Sequence, residues 1–199
     1  MKILLCHRDD RLGDAWRERF AGQDDVSVTG EDICRVNCDA IVSPANSFGF
    51  MDGGLDHQLS EYFGWDLEKE VQRRIAARPL GELLVGEAMI VPTRDARVSW
   101  LVCAPTMRVP MTVHESVNAY LAMKAVLCAV LAHHDESSIN SVAVPGLGTG
   151  IGKLSAEVAA TQMWTAYQET VLQLGKRPAN FAEAQRQHLA LNRAAMIYS

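Results

Sequence analysis

Four glycines fall within seven positions, Gly146, Gly148, Gly150 and Gly152, directly after the apolar run Ser141-Val142-Ala143-Val144-Pro145. A helix-start signal follows at Ser155. Glycine permits positive φ and lets a ligand approach the main chain closely. The first amides of the following helix have no intrahelical partner and point into the loop. A strand, loop and helix joined in this way suit an anion, most often a phosphate; the plain alternative is a tightly packed turn. Neither familiar phosphate motif fits. A dinucleotide fingerprint from Gly146 or Gly148 needs glycine at 151 or 153, where Ile151 and Lys153 stand. A Walker A loop ending at Gly152-Lys153 needs glycine at 147 and Ser or Thr at 154, and both are Leu. The loop is a third kind of cradle.

The rest of the chain frames this junction. Strand candidates recur at Ile3 to Cys6, Val26 to Thr29, Ala40 to Ser43, Ala88 to Val91, Trp100 to Ala104 and Val142 to Val144. Helical patterns lie between them: Asp14 to Phe20, Leu55 to Phe63, Asp66 to Ala77, Ser116 to His133 and Ala156 to Leu174. The Ser116 helix carries a stripe of Val117, Tyr120, Leu121, Leu127, Cys128 and Leu131 that only Lys124 breaks. Ser155 reads as the N-cap of the last of these helices and Gly175 as the residue after its end. Alternation of this kind predicts an α/β layered domain with a largely parallel sheet. The domain is expected over residues 1–178, with 179–199 a C-terminal helical extension, Asn180 to Met196, packed on the same domain; a partner subunit is its alternative contact.

Bulk properties narrow the function. With 199 residues, 48% of them hydrophobic, the chain buries a full core. A formal net charge of −5 argues against a nucleic-acid platform. An anion can still bind if amides and helix ends supply the positive potential. No apolar run approaches the roughly 20 residues of a membrane span. The five cysteines, Cys6, Cys34, Cys38, Cys103 and Cys128, form no C-x-x-C pair and read as buried thiols of a reducing compartment, so the cytoplasm is expected. His133-His134-Asp135 reads as a solvated helix end, and no metal or cofactor is expected.

A second loop matches the first. The strand Ala40-Ile41-Val42-Ser43 feeds Pro44-Ala45-Asn46-Ser47-Phe48-Gly49-Phe50-Met51-Asp52-Gly53-Gly54, which opens a helix at Leu55-Asp56. Ligands of open α/β sheets bind off the carboxyl ends of the strands, so the two loops are expected to form facing walls. Asn46 can donate and accept, as a pair of sugar hydroxyls requires, or it can close an Asx-turn. Asp56 can orient a ribose hydroxyl or a water, or simply favour the helix dipole.

Five blocks in order carry a resemblance: Gly30-Glu31-Asp32-Ile33, Asp39 to Asn46, Gly53-Gly54-Leu55-Asp56, Gly86-Glu87-Ala88 and Pro145 to Gly152. Each is weak alone, but together, over positions 25 to 175, the chain resembles a macrodomain. The resemblance implies a three-layer α-β-α fold with a mixed six-stranded sheet and a cleft for ADP-ribose, or for an ADP-ribosylated protein or metabolite. It implies that Asp32 accepts from the adenine amino group and Ile33 lines the same site. Asn46 then stands beside the distal ribose, and Ala45 is among the ligand-binding residues. Gly53, Gly54 and Leu55 grip the diphosphate from one wall, and Pro145, Gly146, Leu147, Gly148, Thr149, Gly150, Ile151 and Gly152 form the other. In hydrolytic members an Asn and an Asp ten positions apart serve the reaction, and Asn46 and Asp56 keep that separation. This implies hydrolysis of an ADP-ribosyl ester, an O-acyl-ADP-ribose or a terminal ribose phosphate; a non-catalytic ADP-ribose reader is the alternative. Three positions depart from the pattern. Ser43 replaces the first Asn of its block, Asp52 interrupts the glycine run, and Gly152 replaces an aromatic against the distal ribose. Phe48 or Phe50 either supplies a ring from the opposite loop or belongs to the core.

Overall fold

The computed structural model describes residues 1–137 and 139–192. Six strands form one sheet: β1 Lys2–Cys6, β2 Val26–Thr29, β3 Ala40–Ser43, β4 Met89–Pro92, β5 Trp100–Cys103 and β6 Ser141–Pro145. Among the described residues six helices accompany them: α1 Asp10–Arg19, α2 Gly54–Phe63, α3 Asp66–Ala76, α4 Asn118–Ser137, α5 Ala156–Thr170 and α6 Phe181–Ala190. The strand order is β2-β1-β6-β3-β5-β4, parallel throughout except for β4, which runs antiparallel to β5 at one edge. The sheet is therefore mixed, with helices on both faces.

The central strands are apolar on both faces, as a sheet covered on both sides requires. β3 is buried along its whole length. One core lies under α1, α4 and α5 and contains Ile3, Leu5, Trp16, Val142, Val144, Met163 and Tyr167. The other lies under α2 and α3 and contains Ile41, Leu59, Val71, Ile75 and Leu101. Asp39 fixes the register of the centre. Its Oδ2 accepts from the amides of Asn140 at 2.9 Å and Ser141 at 2.8 Å, and from the Ser141 hydroxyl at 2.8 Å. Asp39→Ala removes three charge-assisted bonds at the start of β6 and is expected to cost about 2–3 kcal/mol in urea unfolding. A loss within about 0.5 kcal/mol, the usual range for surface changes, refutes that role.

Several details differ from expectation. α1 begins at Asp10, not Asp14, because Asp9 caps it by accepting from the Arg11 amide at 3.0 Å. α5 ends at Thr170, and Gln173 adopts φ 55, so Gly175 does not close that helix. The face that α4 buries is Ala119, Ala122, Met123, Val126, Leu127 and Val130, while Leu131 is exposed. The helix is apolar on most of its surface, and four of its alanines and valines are among the residues it buries fully. Lys124 instead bridges to α5, donating to Glu169 at 2.7 Å and to the Tyr120 hydroxyl at 2.9 Å. Four cysteines are buried, but Cys128 is exposed. α6 buries none of its own residues; the segment is attached through buried Leu191 and through Asn192, which accepts from Gln162 at 3.1 Å. The remainder of the expected C-terminal extension, residues 193–199, and the side chains of His134 and Asp135 lie outside the described residues. Among the described residues no helix is long and apolar enough to cross a membrane.

Candidate functional site: a cleft across the carboxyl ends of five strands

A cleft of about 690 Å³ opens at the carboxyl ends of the parallel strands. The strand order sets its sequence of walls. Asp32 and Ile33 follow β2, His7 and Arg8 follow β1, Gly146 to Gly152 follow β6, Asn46 to Asp56 follow β3, and Thr106 to Pro110 follow β5. Five strand ends about 4.8 Å apart make a trough ~19 Å long. Every residue expected at the site lines it except Leu147, whose side chain is fully buried in the core beside α1 and α5.

The loop after β6 turns at Gly148, φ +72. The Gly148 carbonyl accepts from the Leu154 amide at 3.0 Å, and the Thr149 hydroxyl donates to the Gly146 carbonyl at 3.0 Å. The Gly152 carbonyl accepts from the Val113 amide at 2.7 Å. These bonds leave Gly150 and Ile151 at the cleft, Ile151 48% exposed.

The loop after β3 is held by Asn46. Its Oδ1 accepts from the amides of Phe48 at 3.1 Å and Phe50 at 3.3 Å, and its Nδ2 donates to the Phe50 carbonyl at 2.8 Å. The Asx-turn reading of Asn46 is thus present in the structure, and one amide hydrogen remains beyond these bonds. α2 then starts with Gly53 as its N-cap, with no side-chain capping bond, whereas α1 and α5 are capped by Asp9 and Ser155. The first amides of α2 are left for a ligand.

Charge in the cleft is unusual for an anion site. Among the described residues that line it, Arg8 is the single Lys or Arg, against Asp9, Glu31, Asp32, Asp52 and Asp56. Arg8 is itself tied into a chain: its guanidinium donates to the side-chain Oε1 of Gln58, and Gln58 Nε2 donates to Asp32 Oδ1 at 2.8 Å. Asp32 Oδ1 also accepts from the Cys34 amide at 3.0 Å. Any anion must therefore be held chiefly by main-chain dipoles.

Asp56, in the first turn of α2, is buried and accepts from the Ser43 hydroxyl at 2.5 Å. Burial pushes its carboxyl up from the ordinary 3.8 to about 7, and the Ser43 hydrogen bond opposes that shift. Ser43, which stands where the macrodomain pattern has Asn, is thus the partner of this carboxyl. His57 faces elsewhere, 3.6 Å from Glu61 and edge-on to Trp65.

The sequence reading missed His7, Arg8 and the Thr106 to Pro110 segment. His7 is buried at the cleft, its Nε2 3.1 Å from the Arg17 guanidinium. A Cβ on Gly13 would lie 2.5 Å from its ring and one on Gly30 3.2 Å, so both glycines make room for the imidazole. The rule that ligands sit off strand ends, applied to β1 and β5, would have found both segments. Among the described residues no group of three or more His, Cys, Asp or Glu could hold a metal ion.

Comparison with known proteins agrees with this architecture. The Macro domain family model matches residues 42–163. An uncharacterized protein of Aeropyrum pernix is 36% identical over 135 residues, which are 67% of this chain and 66% of that protein. Among solved structures, the macrodomain of Mycobacterium tuberculosis DarG is similar with TM-score 0.59 and 22% identity, covering 71% of this chain and 88% of that one. Thermosipho africanus DarTG in complex with ADP-ribose gives TM-score 0.55 and 18% identity, covering 72% of this chain and 37% of that one. The six-stranded mixed sheet, the paired glycine loops and the family match together establish that this chain belongs to the Macro domain family.

Proposed function

We propose that the cleft binds ADP-ribose and that Asp56 catalyses hydrolysis at the distal ribose. One observation carries this reading. The first turn of α2, capped by no side chain, and the Gly148 to Ile151 turn both line a cleft whose described lining residues include one Arg and no Lys, and a buried carboxyl lies on that same first turn. A pyrophosphate is the ligand such an arrangement suits, because helix dipoles and main-chain amides replace cationic side chains. Base and adenosine ribose then lie toward Asp32 and Ile33, and the distal ribose toward Asn46 and Thr106. The complex of DarTG with ADP-ribose supports this choice of ligand on the same fold.

For an ADP-ribosyl ester or O-acyl-ADP-ribose, ionised Asp56 takes a proton from a water while the water oxygen bonds to the acyl carbon. As its bond to the acyl carbon breaks, the ribose oxygen takes that proton from Asp56, giving ADP-ribose and the free acid and restoring the carboxylate. Asn46 offers its remaining amide hydrogen to a ribose hydroxyl. A general base of this kind contributes roughly 10²–10⁴-fold. Amide contacts to the remote diphosphate supply the positioning.

The test is release of ADP-ribose from ADP-ribosylated protein and from O-acyl-ADP-ribose. Turnover is expected to rise with pH through about 7, as Asp56 ionises. Asp56→Asn is expected to lower it at least a hundredfold while ADP-ribose affinity stays within a few fold. Unchanged turnover in that variant removes Asp56 from the chemistry. The reader alternative draws on the three bonds that commit the Asn46 side chain to its own loop. Binding of ADP-ribose without turnover of any of these substrates would establish it.

A further inference from the structure

Phe50 is a large apolar side chain left 53% exposed, and it is the one Phe, Tyr or Trp among the described residues that line the cleft. Its backbone is clamped on both sides. Asn46 holds its amide and its carbonyl, and the next amide, Met51, donates to Glu68 at 2.9 Å. Met51 itself is fully buried, and its carbonyl accepts from the Ser60 hydroxyl at 3.1 Å. Just before it, Gly49 adopts φ +73, and a Cβ there would lie 2.8 Å from Val71 and 2.9 Å from Ile75. The chain at 49–51 is therefore pressed onto α3, and the exposed ring is imposed by these anchors rather than left by a slack loop.

The neighbouring ring has another task. Phe48 lies under the Arg108 guanidinium, 5.0 Å from its centroid, and Arg108 is paired to Glu82 at 2.6 Å. Across the cleft, Gly152 cannot carry a ring, since its Cβ would fall 2.4 Å from the Gly148 carbonyl oxygen. Phe50 follows β3, and the segment beside it follows β5, with Asn46 bridged to Met107. That is the end of the trough farthest from Asp32, which follows the edge strand β2. Met107 and Pro110, in the segment after β5, also line the cleft and give this end an apolar wall.

We propose that Phe50 is a specificity-determining residue that packs against the distal ribose and so makes the cleft prefer ADP-ribose over ADP. This rests on the ADP-ribose reading above and adds its selectivity. Aromatic faces pack against the C–H face of a sugar and shed water from it, while the diphosphate and base contacts remain the same for both ligands. The substrate class is a nucleoside diphosphate extended by a ribose, and the ring is what recognises the extension.

Calorimetry with ADP and ADP-ribose on the wild-type protein, Phe50→Ala and Phe50→Trp decides the matter. The wild type is expected to bind ADP-ribose more tightly than ADP. Phe50→Ala is expected to lose about tenfold for ADP-ribose and less than twofold for ADP, and Phe50→Trp to keep the preference. Since the ring is half exposed, melting midpoints should coincide, and Phe50→Leu serves in place of alanine if they do not. A wild type that binds both ligands, with Phe50→Ala unchanged or weakened equally for both, overturns the assignment of Phe50 and leaves the cradle standing. A wild type that binds neither ligand overturns the ADP-ribose reading and the selectivity with it.

Discussion

Asp56→Asn is expected to stabilise the fold at pH 8 by a few kcal/mol, in the same variant that loses turnover. Asp56 is buried, and its carboxyl is raised to about 7 by desolvation. Its unfolded value is the ordinary 3.8. Between these values the folded chain holds a proton that the unfolded chain has released, so stability falls as pH rises. The favourable contribution is complete below about pH 4 and is lost as pH rises through about 7; above that the cost of the buried charge is constant. At about 1.4 kcal/mol for each tenfold change in proton affinity, that cost is on the order of 4 kcal/mol. Asparagine has nearly the same shape, can accept from the Ser43 hydroxyl and carries no charge to desolvate. Urea unfolding at pH 5 and pH 8 measures the effect. The advantage of the substituted protein should be small at pH 5, grow by a few kcal/mol and level off above pH 7. An advantage that shrinks as pH rises would mean that the carboxylate is stabilised in place. Destabilisation of the native fold by its own site is the pattern expected where a carboxyl is kept dry for proton transfer.

How much of this was legible in the sequence depended on whether the signal was local. Both glycine-bearing junctions were visible, because an apolar strand running into glycines and then a helix is a local pattern. β2 and β3 were read to the residue for the same reason. The start of α1 was hidden by Gly13, a poor helix former whose place is explained only by the His7 ring packed against it. The end of α5 was overrun because Val171, Leu172 and Leu174 continue the apolar period, although Leu174 is 61% exposed. The stripe of α4 was placed one face away because a helix apolar on most sides has no unique buried face by periodicity alone. At the site, His7 and Thr106 are brought in by strand order, which no local window contains. Asn46 shows a different limit. Its amide could equally serve a sugar or its own loop, and only the folded chain shows its three bonds to Phe48 and Phe50.

Gly152→Ala is expected to remove binding of ADP and ADP-ribose alike, in contrast to the selective loss at Phe50. The new Cβ would lie 2.4 Å from the Gly148 carbonyl oxygen and 2.6 Å from Val113 Cγ2. Neither neighbour is free to give way. The Gly148 oxygen accepts from the Leu154 amide at 3.0 Å, and the Val113 amide donates to Gly152 itself at 2.7 Å. Relief requires the turn to open, and that turn carries the Gly148 to Ile151 amides assigned to the diphosphate. Overpacking of this kind costs typically about 1–3 kcal/mol of stability. Loss of the amide alignment should weaken both ligands at least tenfold, since both carry the diphosphate. Gly150→Ala supplies the contrast in stability, because a Cβ there meets nothing within 4 Å. It should leave the melting midpoint unchanged or slightly raised. Equal effects of the two substitutions on stability would show that Gly152 is not required for packing. If Gly152→Ala destabilised the fold but left ADP affinity intact, the diphosphate would have to be held elsewhere, and α2 alone would be the anion site.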